Sequence, residues 1–230
     1  MFSGLMAGLV AYYVAAEHLP PIPLWADGVL AGFVLIPAVF ALVLLALPLR
    51  TRPRLAAVGL AFGVLAAVCD AAALDIAANF LKLAALTALG FWFLSYFERV
   101  SWVVLVAAVI PFVDSISVWR GPTKQIVTKT PEVFDVLSFA FPVPDRGSFN
   151  LGLPDLLFFA VFLAAAARWR LRVGLTWAAM TTSFGVTLLL TLWLDPFGLG
   201  GLPALPLLSV AFLAANADVL WAELRDRRRS

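Results

Sequence analysis

This chain is poor in histidine, cysteine and charge, and each shortage excludes something. One cysteine (Cys69) rules out an internal disulfide, and one histidine (His18) leaves too few ligands for an ordinary zinc site. The metalloprotease pattern His-Glu-x-x-His is absent. Serine chemistry of the rhomboid type needs a nucleophile paired with a base. His18 stands at the edge of a short first segment and no Gly-x-Ser-Gly occurs, so that chemistry is discarded. Charged residues make up 13% of the 230 residues and hydrophobic ones 63%, with a mean hydropathy of +1.00. A soluble domain carries about a quarter charged residues, so we read a polytopic membrane protein. The net charge of +2 does not point to nucleic acid, because the positive residues fall in short loops and tails. We expect no nucleic-acid partner, no metal and no cofactor. The opening "MFSGLMAGLVAYYVAAEHLPP" lacks a positive n-region, which predicts a retained membrane segment rather than a cleaved signal peptide. Abundant alanine and an excess of arginine over lysine point to a GC-rich prokaryote and its plasma membrane.

What is present is a series of apolar runs. A helix needs about 20 apolar residues to span a bilayer, and runs near 3–18, 28–48, 55–73, 77–97, 101–119, 151–167, 173–193 and 203–221 approach that length. The expectation is an all-α bundle of eight membrane spans, with nine as the alternative count, and no internal repeat. One connection is long, "RGPTKQIVTKTPEVFDVLSFAFPVPDRGSFN" over 120–150, and a loop of that length is more often functional than idle. Within it, "KQIVTKT" alternates as a short strand does. Positive charge in short loops sets orientation. The clusters "RTRPR" (Arg50, Arg52, Arg54), "RWRLR" (Arg168, Arg170, Arg172) and "RDRRR" fall on one side if there are eight spans. That places both termini in the cytoplasm and the long loop outside.

Two aspartates stand inside apolar runs. Asp114 lies about five residues before the end of "SWVVLVAAVIPFVDSISVW", and Asp155 about five residues into the next run, "LGLPDLLFFAVFLAAAA". At 1.5 Å rise per residue, both carboxylates are expected roughly 8 Å inside the same membrane face. Two carboxylates brought close in a low-dielectric site cannot both ionise, so the pair shares one proton. The ionised partner can draw a proton from water while the protonated one polarises a carbonyl, the logic of an aspartic-protease dyad. Each could equally be an interfacial carboxylate solvated near the headgroups. Pro154 suits the first turn of a helix, where its missing N–H is no loss. Gly152 before it is expected to loosen the chain and leave a water-reachable dent at Asp155. "GLGGLPALPLL" opens the last run from the same face, with two prolines delaying regular helix.

An aspartate late in one helix, a long loop, a Gly-x-Gly-Asp-like start to the next, and Pro-Ala-Leu opening the final helix resemble the presenilin and signal peptide peptidase family of intramembrane aspartyl proteases. "VDSISVWRGPTKQIV" is similar to the stretch after the first catalytic aspartate in microbial presenilin-like members. The resemblance covers roughly residues 100 to 225. It implies that Asp114 and Asp155 are the catalytic pair, and that Gly152, Leu153, Pro154, Pro203, Ala204 and Leu205 shape the site and help hold substrate. It implies an N-terminal scaffold over 1–99 and a catalytic core over 100–230, including the loop 120–150. Transmembrane-helix substrates and remnant signal peptides are the implied partners, within a lipid bilayer. Two departures stand out. Val113 precedes Asp114 where the family has tyrosine, and Pro154 precedes Asp155 where it has a second glycine. Prepilin peptidases have a similar Gly-x-Gly-Asp-like site but lack the closing Pro-Ala-Leu. From other classes, a proton- or ion-coupled transporter and a non-catalytic scaffold would also account for intramembrane carboxylates. Asp70, Asp75, Asp195, Asp218 and Lys82 are read as interfacial charges at helix ends.

Overall fold

A computed structural model describes residues 1–120, 136–144, 147–194 and 202–226. Each of the eight apolar runs forms helix. We number α1 Phe2–Ala15, α2 Leu24–Thr51, α3 Leu55–Ala71, α4 Asp75–Phe93, α5 Val100–Arg120, α6 Leu153–Arg168, α7 Val173–Leu194, α8 Leu205–Ala215 and α9 Ala217–Asp226. The middle of α2 is a π-helical stretch, Ala31–Leu35. Among the described residues between α5 and α6 are two strands, β1 Ser138–Val143 and β2 Gly147–Gly152.

Length corrects the count of spans. Among the described residues four helices are long and apolar enough to cross a membrane, those over Leu24–Thr51, Asp75–Tyr96, Val100–Ser117 and Val173–Leu194. A fifth is reached only if α8 and the start of α9, bent by 69° at Asn216, act as one span. Eight or nine spans are not supported. The apolar runs include residues that are not α-helical: 16–18 form a 3-10 turn, 72–73 a tight turn, and 151–152 the end of β2. What remains in α1, α3 and α6 is 14, 17 and 16 residues. At 1.5 Å per residue these fall short of a bilayer core of about 30 Å. Four crossings leave both termini on one side and five do not, so the count by itself no longer places the C-terminus.

The all-α expectation holds for the bulk of the chain but misses the hairpin. β1 and β2 pair antiparallel, with Ser138 opposite Gly152 and Val143 opposite Gly147. The sequences "SFAFPV" and "GSFNLG" alternate as half-buried strands do, and Gly147 takes a positive φ of 88° after the turn. Phe139, Phe141 and Val143 point into the core. The strand expected over 124–130, the glycine-rich turn over 195–201, Asp195 and the last arginines lie outside the described residues.

One core runs through both halves of the chain, and α6 is its axis. From Phe159 to Ala166 no side chain of α6 is exposed. Phe40 of α2 and Phe184 of α7 pack on Phe159, while Phe212 of α8 stacks on Phe162 at 4.8 Å between ring centres. A Cβ on Gly90 of α4 would come within 2.8 Å of the Ala160 Cβ and 2.9 Å of the Leu157 carbonyl, so α4 and α6 touch backbone to backbone there. α5 is the outer helix. It packs mainly along α8 and more lightly on α6, and Phe112, Val113 and Ile116 on its free face are exposed.

Candidate functional site

Three chain segments converge where α5 nears its end and α6 and α8 begin. Leu205 is the first residue of α8, and its N–H donates to Asp114 Oδ2 at 3.2 Å across 91 residues of sequence. A helix N-terminus carries unsatisfied N–H groups and partial positive charge, so a carboxylate from a neighbouring helix is well placed there. Ala204 and Leu205 are buried; Pro203 is partly so, and Pro206 follows in the first turn. The Pro-Ala-Leu triplet is therefore more than punctuation before a helix: it is in contact with the first aspartate.

Asp155 is held by its own helix. Gly152 is the N-cap of α6 and Asp155 the third helical residue, with Pro154 between them in the first turn. The carboxylate folds back to accept the Gly152 N–H, the geometry of one half of a capping box. Gly152 has φ −62° and ψ 145°, a conformation open to any residue. Its smallness serves space instead: a Cβ there would lie 3.2 Å from Asp155 Oδ2 and 3.6 Å from Pro154 Cδ. The expected loosening of the chain at Gly152 is thus replaced by close packing. Leu153 continues the hairpin into the helix, donating its N–H to Leu137 O at 3.2 Å.

Asp114 and Asp155 lie close enough for their charges to interact. Asp155 is buried, at 9% exposure, and not in a water-reachable dent; Asp114 is partly exposed on the outer helix. Counted along the helices, Asp114 stands six residues before Arg120 and Asp155 only two after Leu153, because 151 and 152 are strand rather than helix. Val113 is exposed on the outer face of α5, beside the pair rather than within it. Each carboxylate contact is one that a helix cap also makes; proximity to the other carboxylate is what caps do not need.

No family model, curated protein or solved structure matches this chain. The chemistry of the site therefore rests on its own geometry. Among the described residues no group of three His, Cys, Asp or Glu side chains could hold a metal ion.

Residues outside the expected set fix the hairpin that leads into Asp155. Asn79 of α4 faces Ala140 as a neighbouring strand would. Its Nδ2 donates to the Ala140 carbonyl at 2.8 Å, and the Ala140 N–H donates to its Oδ1 at 2.9 Å. The Tyr13 hydroxyl donates to the same carbonyl at 2.9 Å and Tyr12 to the Pro142 carbonyl at 3.1 Å. Lys82, ion-paired with Asp70 at 3.5 Å, donates to the Ser138 carbonyl. Lys82 and Asp70 thus form a partly buried brace, whereas Asp218 is an exposed partner of Arg172. The edge of β1 facing away from β2 is closed by side chains at alternate residues, and Pro142 has no N–H to offer there. A single asparagine among the apolar residues of α4 was the available signal.

A cleft of about 1360 Å³ opens beside this brace, walled by α1, the α3–α4 turn and the polar face of the hairpin. Neither aspartate of the pair lines it.

Proposed function

We propose that this protein is an intramembrane aspartyl protease of the presenilin and signal peptide peptidase type, cleaving single-span helices or remnant signal peptides within a prokaryotic plasma membrane. The observation that carries the reading is the Leu205 N–H on Asp114. It joins the Pro203-Ala204-Leu205 motif to the first aspartate, while the second aspartate stands within charge reach. Peptide hydrolysis needs one ionised and one protonated carboxyl. The ionised group takes a proton from water as the hydroxide adds to the scissile carbonyl carbon, and the protonated group donates to the carbonyl oxygen. Collapse of the tetrahedral intermediate then breaks the C–N bond, with a proton delivered to the leaving nitrogen.

A helical peptide bond is shielded by its own hydrogen bonds, so substrate must unwind. The hairpin offers the extended chain a place to add. Among the described residues its sheet has two strands, β1's outer edge is closed by Asn79 and Tyr13, and β2 runs directly into Gly152 and Asp155. A strand added along β2 acquires main-chain hydrogen bonds and one favoured direction. Substrates with Gly, Ser or Asn near the cut, which unwind easily, are expected to be cut best.

The test is incubation of the purified protein in detergent with a single-span peptide, alongside Asp114→Asn and Asp155→Asn. Wild type should cut and both variants should lose all measurable cleavage with unchanged thermal unfolding. The pH profile of cleavage should be bell-shaped, since both-protonated and both-ionised pairs are idle. Near-full activity in either variant would rule out the dyad.

A further inference from the structure

Two of the arginine clusters noted in the sequence meet in space, away from the aspartates. A cleft of about 480 Å³ forms where α2, α4 and α6 all end, and Arg50, Arg52 and Arg54 line it together with Arg168, Trp92 and Ser95. The clusters are more than a hundred residues apart in sequence. Among the described residues no Asp or Glu lines the cleft. Four guanidinium groups around one space repel one another unless an anion or water separates them.

Two of the four are fixed in place. Arg50 donates one N–H to the Leu47 carbonyl at 3.1 Å, and Arg168 donates one to the Leu94 carbonyl at 2.9 Å. Each tether uses a carbonyl at a helix C-terminus, where a cation is favoured. A guanidinium has five N–H donors, so most remain for another acceptor, and its planar fork matches phosphate oxygens. Arg52 and Arg54 are exposed on the rim.

The walls suggest the source of that acceptor. Trp92 and Tyr96 pack edge to face at 5.2 Å, both exposed, at the end of a helix long enough to span a membrane. Exposed Trp and Tyr at a helix end mark headgroup level. Phe91 and Leu55 add apolar lining below the arginines. A basic pocket between helix ends, at headgroup depth and with an apolar floor, suits an anionic headgroup whose acyl chains remain in the bilayer.

We propose that this cleft binds the phosphate of an anionic phospholipid headgroup. The site is independent of the protease reading, and its test needs no cleavage. Thermal unfolding of the purified protein is followed in dodecyl maltoside micelles containing phosphatidylglycerol, and in the same micelles containing phosphatidylcholine. A third arm has inorganic phosphate and no lipid. Phosphatidylglycerol should raise the unfolding temperature in a saturable way that high salt removes, and the other two arms should not. The double variant Arg52→Gln/Arg54→Gln spares both tethered arginines and should bind phosphatidylglycerol about 25-fold more weakly, from roughly a fivefold loss per arginine. Arg225→Gln, outside the cleft, should behave as wild type. Equal stabilisation by phosphatidylcholine would overturn the proposal. So would stabilisation by inorganic phosphate alone, which would make this a soluble-anion site. An Arg225→Gln loss as large as that of the cleft variant would also overturn it, by showing diffuse charge attraction.

Discussion

Gly152→Ala separates the two roles a glycine can have beside Asp155. With φ −62° and ψ 145°, alanine meets no backbone strain at this position. Reduced freedom of the unfolded chain should stabilise by about 0.4–1 kcal/mol. Alanine is a poorer N-cap than glycine, which costs about 0.5–1 kcal/mol. The two offset, and unfolding should stay within about 3 °C of wild type. Activity should not stay. The new Cβ would sit 3.2 Å from Asp155 Oδ2, a crowded contact, so the carboxylate must give way by a few tenths of an ångström. Since a misplacement of about 1 Å costs a catalytic geometry about a hundredfold, a fraction of that predicts a loss of roughly three- to tenfold in kcat/KM. The assay is cleavage of a single-span peptide in detergent, with kcat and KM resolved and unfolding measured on the same preparation. Unchanged kcat/KM would refute the view that the small residue serves to seat the carboxylate. A parallel fall in unfolding temperature and activity would refute it too, by making the effect one of folding.

Three further outcomes are expected. Asn79→Ala removes two hydrogen bonds to Ala140, and should speed amide exchange across the hairpin about tenfold; mass spectrometry should show product ends spread over neighbouring peptide bonds, and a single unchanged cut site would detach the hairpin from substrate register. Gly90→Leu forces atoms into the 2.8 Å approach to Ala160 and should destabilise by about 1–3 kcal/mol, read as a lower unfolding temperature. Pro154→Gly, in an exposed first-turn position, should leave cleavage equal or higher at some loss of stability; loss of all cleavage would show that proline is required.

Helix content and position were legible in the residues, because an apolar run of this kind can satisfy its backbone only within itself. So were the two aspartates and the Pro-Ala-Leu opening, since a charge or a proline pair interrupts such a run visibly. Span number was not legible. Hydropathy counts apolar residues whatever their backbone does, and it cannot tell the end of β2 at Leu151 from the helix that follows at Leu153. The hairpin was within reach, for "SFAFPV" and "GSFNLG" alternate plainly. "KQIVTKT" in the same loop alternates as well and lies outside the described residues. Only the tertiary structure decided that Asp114 accepts the Leu205 N–H, that Asn79 stands in for a strand against Ala140, and that Arg50, Arg52 and Arg54 share a cleft with Arg168. Each of these joins residues more than 60 positions apart. Local periodicity reports which face of an element is apolar, whereas the partner a polar group finds across the bundle depends on how all the helices pack at once.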